Sequence, residues 1–121
     1  MAKFILDSVM DAALDVIATG NIMTVCSAQP TNRTEAVTTY ALADVTLAGG
    51  DYTKANGDSS GRKTTIAQKS NVTIDTTGTA NHVAICDGTN LLLVTTCTSQ
   101  SLTAGGTVTI PAFKNEIADP V

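Results

Sequence analysis

A length of 121 residues fits a single domain, expected to run over residues 1–121. Charged residues are 15% of the chain, where soluble proteins carry about a quarter. The net charge of −4, without the clustered Lys and Arg that hold nucleic-acid phosphates, argues against nucleic acid, so no nucleic-acid partner is expected. A domain that spends its surface on Thr, Ala, Gly and Ser is expected to cover much of it with neighbouring protein.

Residues 1–20 do not read as a secretory leader, because Asp7, Asp11 and Asp15 interrupt the apolar residues. No run reaches the length of a membrane span, so synthesis in a cytoplasm and no membrane partner are expected. Leu6, Val9, Met10, Ala13, Val16 and Ile17 recur at helical spacing, which predicts one α-helix over about residues 8–18 with a single apolar stripe. Ser8 followed by Asp11 predicts a capping box, and Gly20 the stop. The three aspartates, four residues apart, read as a solvated face.

After Gly20 the period shortens. Ile22–Cys26 reads as a strand, closed by Ser27-Ala28-Gln29-Pro30. Residues 36–47 mix Val37, Tyr40, Leu42, Val45 and Leu47 with Thr in a strand-like way. Residues 49–61, opening on Gly49-Gly50 and ending in Asn56-Gly57-Asp58-Ser59-Ser60-Gly61, predict an exposed, turn-rich loop. Further strands are expected at residues 64–67, 71–77 and 80–86. Asp87-Gly88 then marks a hairpin, and residues 91–98 read as a central strand because Leu91-Leu92-Leu93-Val94 is apolar on both faces. Gly105-Gly106 turns the chain into a strand at residues 107–113, where Pro111 signals an edge or bulge. Threonine fills roughly a sixth of the chain, a bias toward pleated surface. The expected fold is mainly β, an antiparallel β-sandwich or jelly-roll-like domain with one N-terminal helix.

Reactive chemistry is sparse. His82 and Cys86 lie four residues apart on one strand, about 13 Å by strand rise, too far for a nucleophile and base. Cys26, Cys86 and Cys97 show no CxxC spacing and read as small core residues, with a Cys86–Cys97 bridge across the hairpin as the alternative. Lys54, Arg62, Lys63 and Lys69 lie among turn residues without aromatic neighbours. Glu35 and Glu116 sit beside no second carboxylate in sequence. The expectation is a protein that is not an enzyme, with no catalytic residues, no cofactor and no metal.

The helix Leu6-Asp7-Ser8-Val9-Met10-Asp11-Ala12-Ala13-Leu14 leads to Met23-Thr24-Val25-Cys26-Ser27-Ala28-Gln29-Pro30 and Thr34-Glu35-Ala36. Ser60-Gly61-Arg62-Lys63, Gly78-Thr79-Ala80-Asn81-His82-Val83-Ala84, Leu91-Leu92-Leu93-Val94, Ser99-Gln100-Ser101-Leu102-Thr103-Ala104-Gly105-Gly106 and Ile110-Pro111-Ala112-Phe113 follow. This order, over nearly the whole chain, resembles a family of small virion structural proteins of tailed bacteriophages. The resemblance implies a capsid decoration (cement) protein on the virion surface, with the major capsid protein as partner and a homo-oligomer, a trimer, as its form. A tail-tube, neck or connector subunit is the alternative; a carbohydrate-binding adhesion domain is a further one, poorly served by aromatics at 3%. Residues 1–6 and 116–121 are expected to be contact arms, with Phe4, Ile5, Leu6, Ile117 and Val121 as the interface residues; the alternative is that Phe4 and Ile5 form a first strand in the protein's own sheet.

Overall fold

The computed structural model describes residues 4–120, and its first element is the helix α1, Asp7–Ile17. Its start differs from the expected capping box. Leu6 is the extended residue before the first turn, no side chain caps it, and Asp11 reaches instead to Arg62. A tertiary ion pair has outcompeted the local cap.

Nine strands follow: β1 (Ile22–Cys26), β2 (Ala41–Thr46), β3 (Tyr52–Asn56), β4 (Arg62–Ile66), β5 (Lys69–Thr73), β6 (Gly78–Cys86), β7 (Leu91–Leu102), β8 (Thr107–Ile110) and β9 (Phe113–Ile117). Every named pairing is antiparallel. They form a four-stranded sheet β2-β1-β6-β7, a three-stranded sheet β3-β4-β9 and a ribbon β5-β8, the last tied to β2 by a bridge between Ala43 and Ile74. The fold is therefore mainly β with antiparallel sheets and one N-terminal helix.

Alternation along the strands makes two apolar clusters. Met23 and Val25 of β1 and Val83 and Ile85 of β6 point to one side, where Ile66, Val72, Ile74, Leu102 and Ile110 from the other sheets complete the main core. The alternate residues Cys26, Ala84 and Cys86 point to the opposite side, under Ala36, Val37 and Tyr40. That cover explains why residues 36–47 are not one strand. Glu35 accepts bonds from the Thr31 N–H (2.9 Å) and the Thr31 hydroxyl, and its own N–H donates to Asn32 Oδ1 (2.9 Å). These local bonds close a π-helical turn at Glu35–Thr39 before β2 begins. Arg33 Nε donates to the Asp87 carbonyl (2.7 Å), pinning this cover to the β6–β7 hairpin.

Residues 49–61 hold more order than a turn-rich composition predicts. Tyr52–Asn56 is β3, in register with β4 from Tyr52 opposite Ile66 to Asn56 opposite Arg62. Only the turn beyond Asn56 remains, and Gly61 there has φ of +69°, with the Ile117 carbonyl where a Cβ would stand. Two other expectations are corrected. β7 is an edge strand, not a central one, because no strand follows it in the sheet. Its apolar start is half-buried by the cover just described, while residues 96–101 are exposed. The expected strand at 107–113 is two strands: Pro111 and Ala112 form the corner where the chain leaves the β5 ribbon for the β4 sheet.

Candidate interaction surface

The helix stripe expected from the sequence is wider than the chain itself can cover. Asp11 and Asp15 share one side of α1, four residues apart, and both are drawn to the β3–β4 hairpin. Asp11 Oδ1 lies 2.8 Å from Arg62 Nε, and Asp15 Oδ1 lies 2.6 Å from Lys54 Nζ. The bond and the Arg62 guanidinium hold the Asp11 carboxyl below its ordinary range. These ties fix the roll of the helix so that Met10 and Leu14 are buried. The other half of the stripe, Leu6, Val9, Ala13 and Val16, faces out. Leu6, Val9 and Val16 are 55%, 56% and 56% exposed, and Phe4, just before the helix, is 78% exposed. Among the described residues these four are the large exposed hydrophobics, and all lie within thirteen consecutive positions.

The end of the helix is clamped. Gly20 is buried, and a Cβ there would strike Ile85 Cγ2 and the Tyr52 hydroxyl. Tyr52 donates to the Gly20 carbonyl at 2.9 Å, and burial with the nearby Asp51 charge pushes its phenol up to about 12. So the helix is held on a fixed support from the Asp11–Arg62 pair to the Gly20 clamp.

A second feature lies at the free edge of β7. Between it and the β8–β9 corner runs an apolar groove of about 200 Å³ that continues into one of about 330 Å³. Both parts are lined by Val83, Cys97, Thr98, Ile110 and Pro111, and the second also by Phe113. Neither β7 nor β8 has a strand on this side.

No family model, curated protein or solved structure matches this chain.

The residues expected at the interface separate in space. Phe4 and Leu6 are exposed and Ile5 is half-buried. Ile117 is no free arm: it is a strand residue of β9, half-buried and opposite Arg62. Its neighbours are also engaged internally, since the Asp58 N–H donates to Glu116 Oε1 and the Asp119 N–H to Ser60 Oγ (3.0 Å). Val121 lies outside the described residues.

Lys54, Arg62, Lys63 and Lys69 each face a carboxylate, of Asp15, Asp11, Asp58 and Asp51 respectively. Asp58 sits between Lys63 and Lys114, both at 2.6 Å, and their bonds lower its carboxyl to about 2. The three cysteines are free thiols; Cys26 and Cys86 are buried as expected, but Cys97 is exposed at the groove. His82 Nδ1 lies 2.5 Å from Asn81 Oδ1. Among the described residues no group of three or more His, Cys, Asp or Glu is placed to hold a metal ion, and no helix is long and apolar enough to cross a membrane.

Sequence reasoning found the helix and its stripe but not the division of that stripe, which Arg62 and Lys54 impose from 51 and 39 residues away. It missed the groove altogether, because the wall facing β7 depends on where Pro111 turns the chain.

Proposed function

We propose that this chain is a structural virion protein, a decoration (cement) protein that seats the outer flank of α1 on the major capsid protein of a tailed phage. The observation that carries this reading is the exposure of Leu6, Val9 and Val16 along one flank of α1. The order of motifs along the chain, with its resemblance to tailed-phage virion proteins, supplies the kind of partner.

The magnitude favours many copies acting together. At these exposures the three side chains offer roughly 200 Å² of apolar surface, about 5 kcal/mol gross at 25 cal/mol per Å². Association costs about 4–15 kcal/mol in lost freedom, so one flank binds weakly. A lattice of repeated sites or a multivalent ring converts weak contacts into stable occupancy.

The test adds purified protein to shells of its phage prepared without it, and measures co-sedimentation. The V9D/V16D double variant is expected to bind at least about tenfold less, since charge then enters the contact, with its thermal midpoint unchanged. Equal loading of both proteins, or none of either, refutes the reading. The twelve-residue free edge of β7 favours a second one, a tail-tube or connector subunit. That reading predicts tubes or rings that assemble with no shell and persist in V9D/V16D.

A further inference from the structure

We infer that residues 4–6, just ahead of α1, form a donor arm, and that the groove beside β7 is its acceptor in a second copy of the same chain. The inference goes beyond shell binding and does not depend on it. Three observations carry it. Leu6 is extended, with φ −67° and ψ 137°, and Phe4 is 78% exposed on its own chain. The groove has room for the ring, since a cavity of roughly 150 Å³ takes a benzene and the groove offers about 200 Å³ before it widens. Its lining suits an apolar guest: Val83, Ile110 and Pro111 form apolar walls, with Thr98 and Cys97 on the β7 side and no charged side chain among the lining residues. The unpaired edge of β7 supplies main-chain donors and acceptors along which an extended segment adds as a short strand.

Area decides the form of the assembly. A phenylalanine buries about 150–250 Å². With its backbone the arm buries roughly 300 Å² against a similar area of groove, a total of about 600 Å² per contact, short of the roughly 1,000 Å² that a stable pair needs. The contact is heterologous, arm to groove, so each copy donates once and accepts once. A closed assembly, a reciprocal pair or a larger ring, therefore gives every subunit two such contacts, where an open dimer has one in all. A small closed oligomer is the expected species, appearing with rising concentration.

The groove carries its own reporter, because Cys97 is exposed there while Cys26 and Cys86 are fully buried. The full-length F4C variant, treated with oxidised glutathione as oxidant, is expected to give covalent dimers and higher bands on a non-reducing gel. Peptide mapping should place the bond between the introduced thiol and Cys97 of another copy, and C97S should abolish it. Sedimentation of the unoxidised protein gives the second measurement: F4D is expected to need at least about tenfold more protein for the same degree of association. A bond joining two introduced thiols, a bond within one chain, no bond at all, or F4D sedimenting as the parent protein does, each overturns the inference. Loss of shell binding in V9D/V16D leaves these outcomes unchanged, so the two readings fail separately.

Discussion

Thr64 offers a sharp test of how β4 supports the helix. It lies on β4 between Arg62, which holds Asp11 of α1, and Ile66 of the main core. Its side chain is fully buried and its hydroxyl has no hydrogen-bond partner. A buried hydroxyl left without a partner costs about 1–3 kcal/mol. Valine has nearly the same shape and two methyl groups, so T64V removes the penalty without opening a cavity. The expected gain is about 1–2 kcal/mol, which for a domain of this size raises the thermal midpoint by roughly 3–8 °C. Calorimetry on both proteins at neutral pH reads the shift, and urea titration should show a higher midpoint at an unchanged slope. The reasoning is refuted if T64V melts at or below the parent temperature, since the hydroxyl must then be satisfied in solution.

Three further outcomes follow from the same geometry. L14A removes a fully buried side chain between helix and sheet and should cost about 2–5 kcal/mol, measured by urea unfolding. G61A forces a Cβ onto a residue at φ +69° and into the Ile117 carbonyl; it should lower stability by roughly 1–3 kcal/mol and speed amide exchange in β9. The Asp58 carboxyl is held near 2 by Lys114 and Lys63, so the unfolded chain takes up its proton first as pH falls. Its contribution is complete above about pH 4 and is lost between there and pH 2; thermal melts across that window should show a loss that D58N lacks.

What the sequence made legible was whatever local period decides. The helix, β1, the β6–β7 hairpin and the antiparallel, mainly β class all follow from spacing and turn residues. The hairpin is a direct case, because Asp87 Oδ1 accepts from the Thr89 and Asn90 N–H groups at 2.7 and 2.6 Å. Position in the sheet was not legible. Leu91-Leu92-Leu93-Val94 has the apolar run of a central strand, yet it lies at an edge because a loop, and not a strand, covers its outer face. β3 was hidden for a related reason: Tyr52–Asn56 carries little apolar surface of its own and is a strand because β4 presents it with a partner. Of the interface residues, Phe4 and Leu6 stayed outward, while Ile117 was claimed by pairing with Arg62.

That last pairing sets a timetable. β4 is flanked by β3 on one side and β9 on the other, and β9 comes some fifty residues later in the chain. While the ribosome is still making residues 67–112, the β4 seam stands open, and β7, which also packs against α1, is not yet complete. Closing so long a loop comes late and slowly. Through that interval the inward flank of the helix, Met10 and Leu14, is only partly covered, so the nascent polypeptide is at its most adhesive before its last strand has emerged.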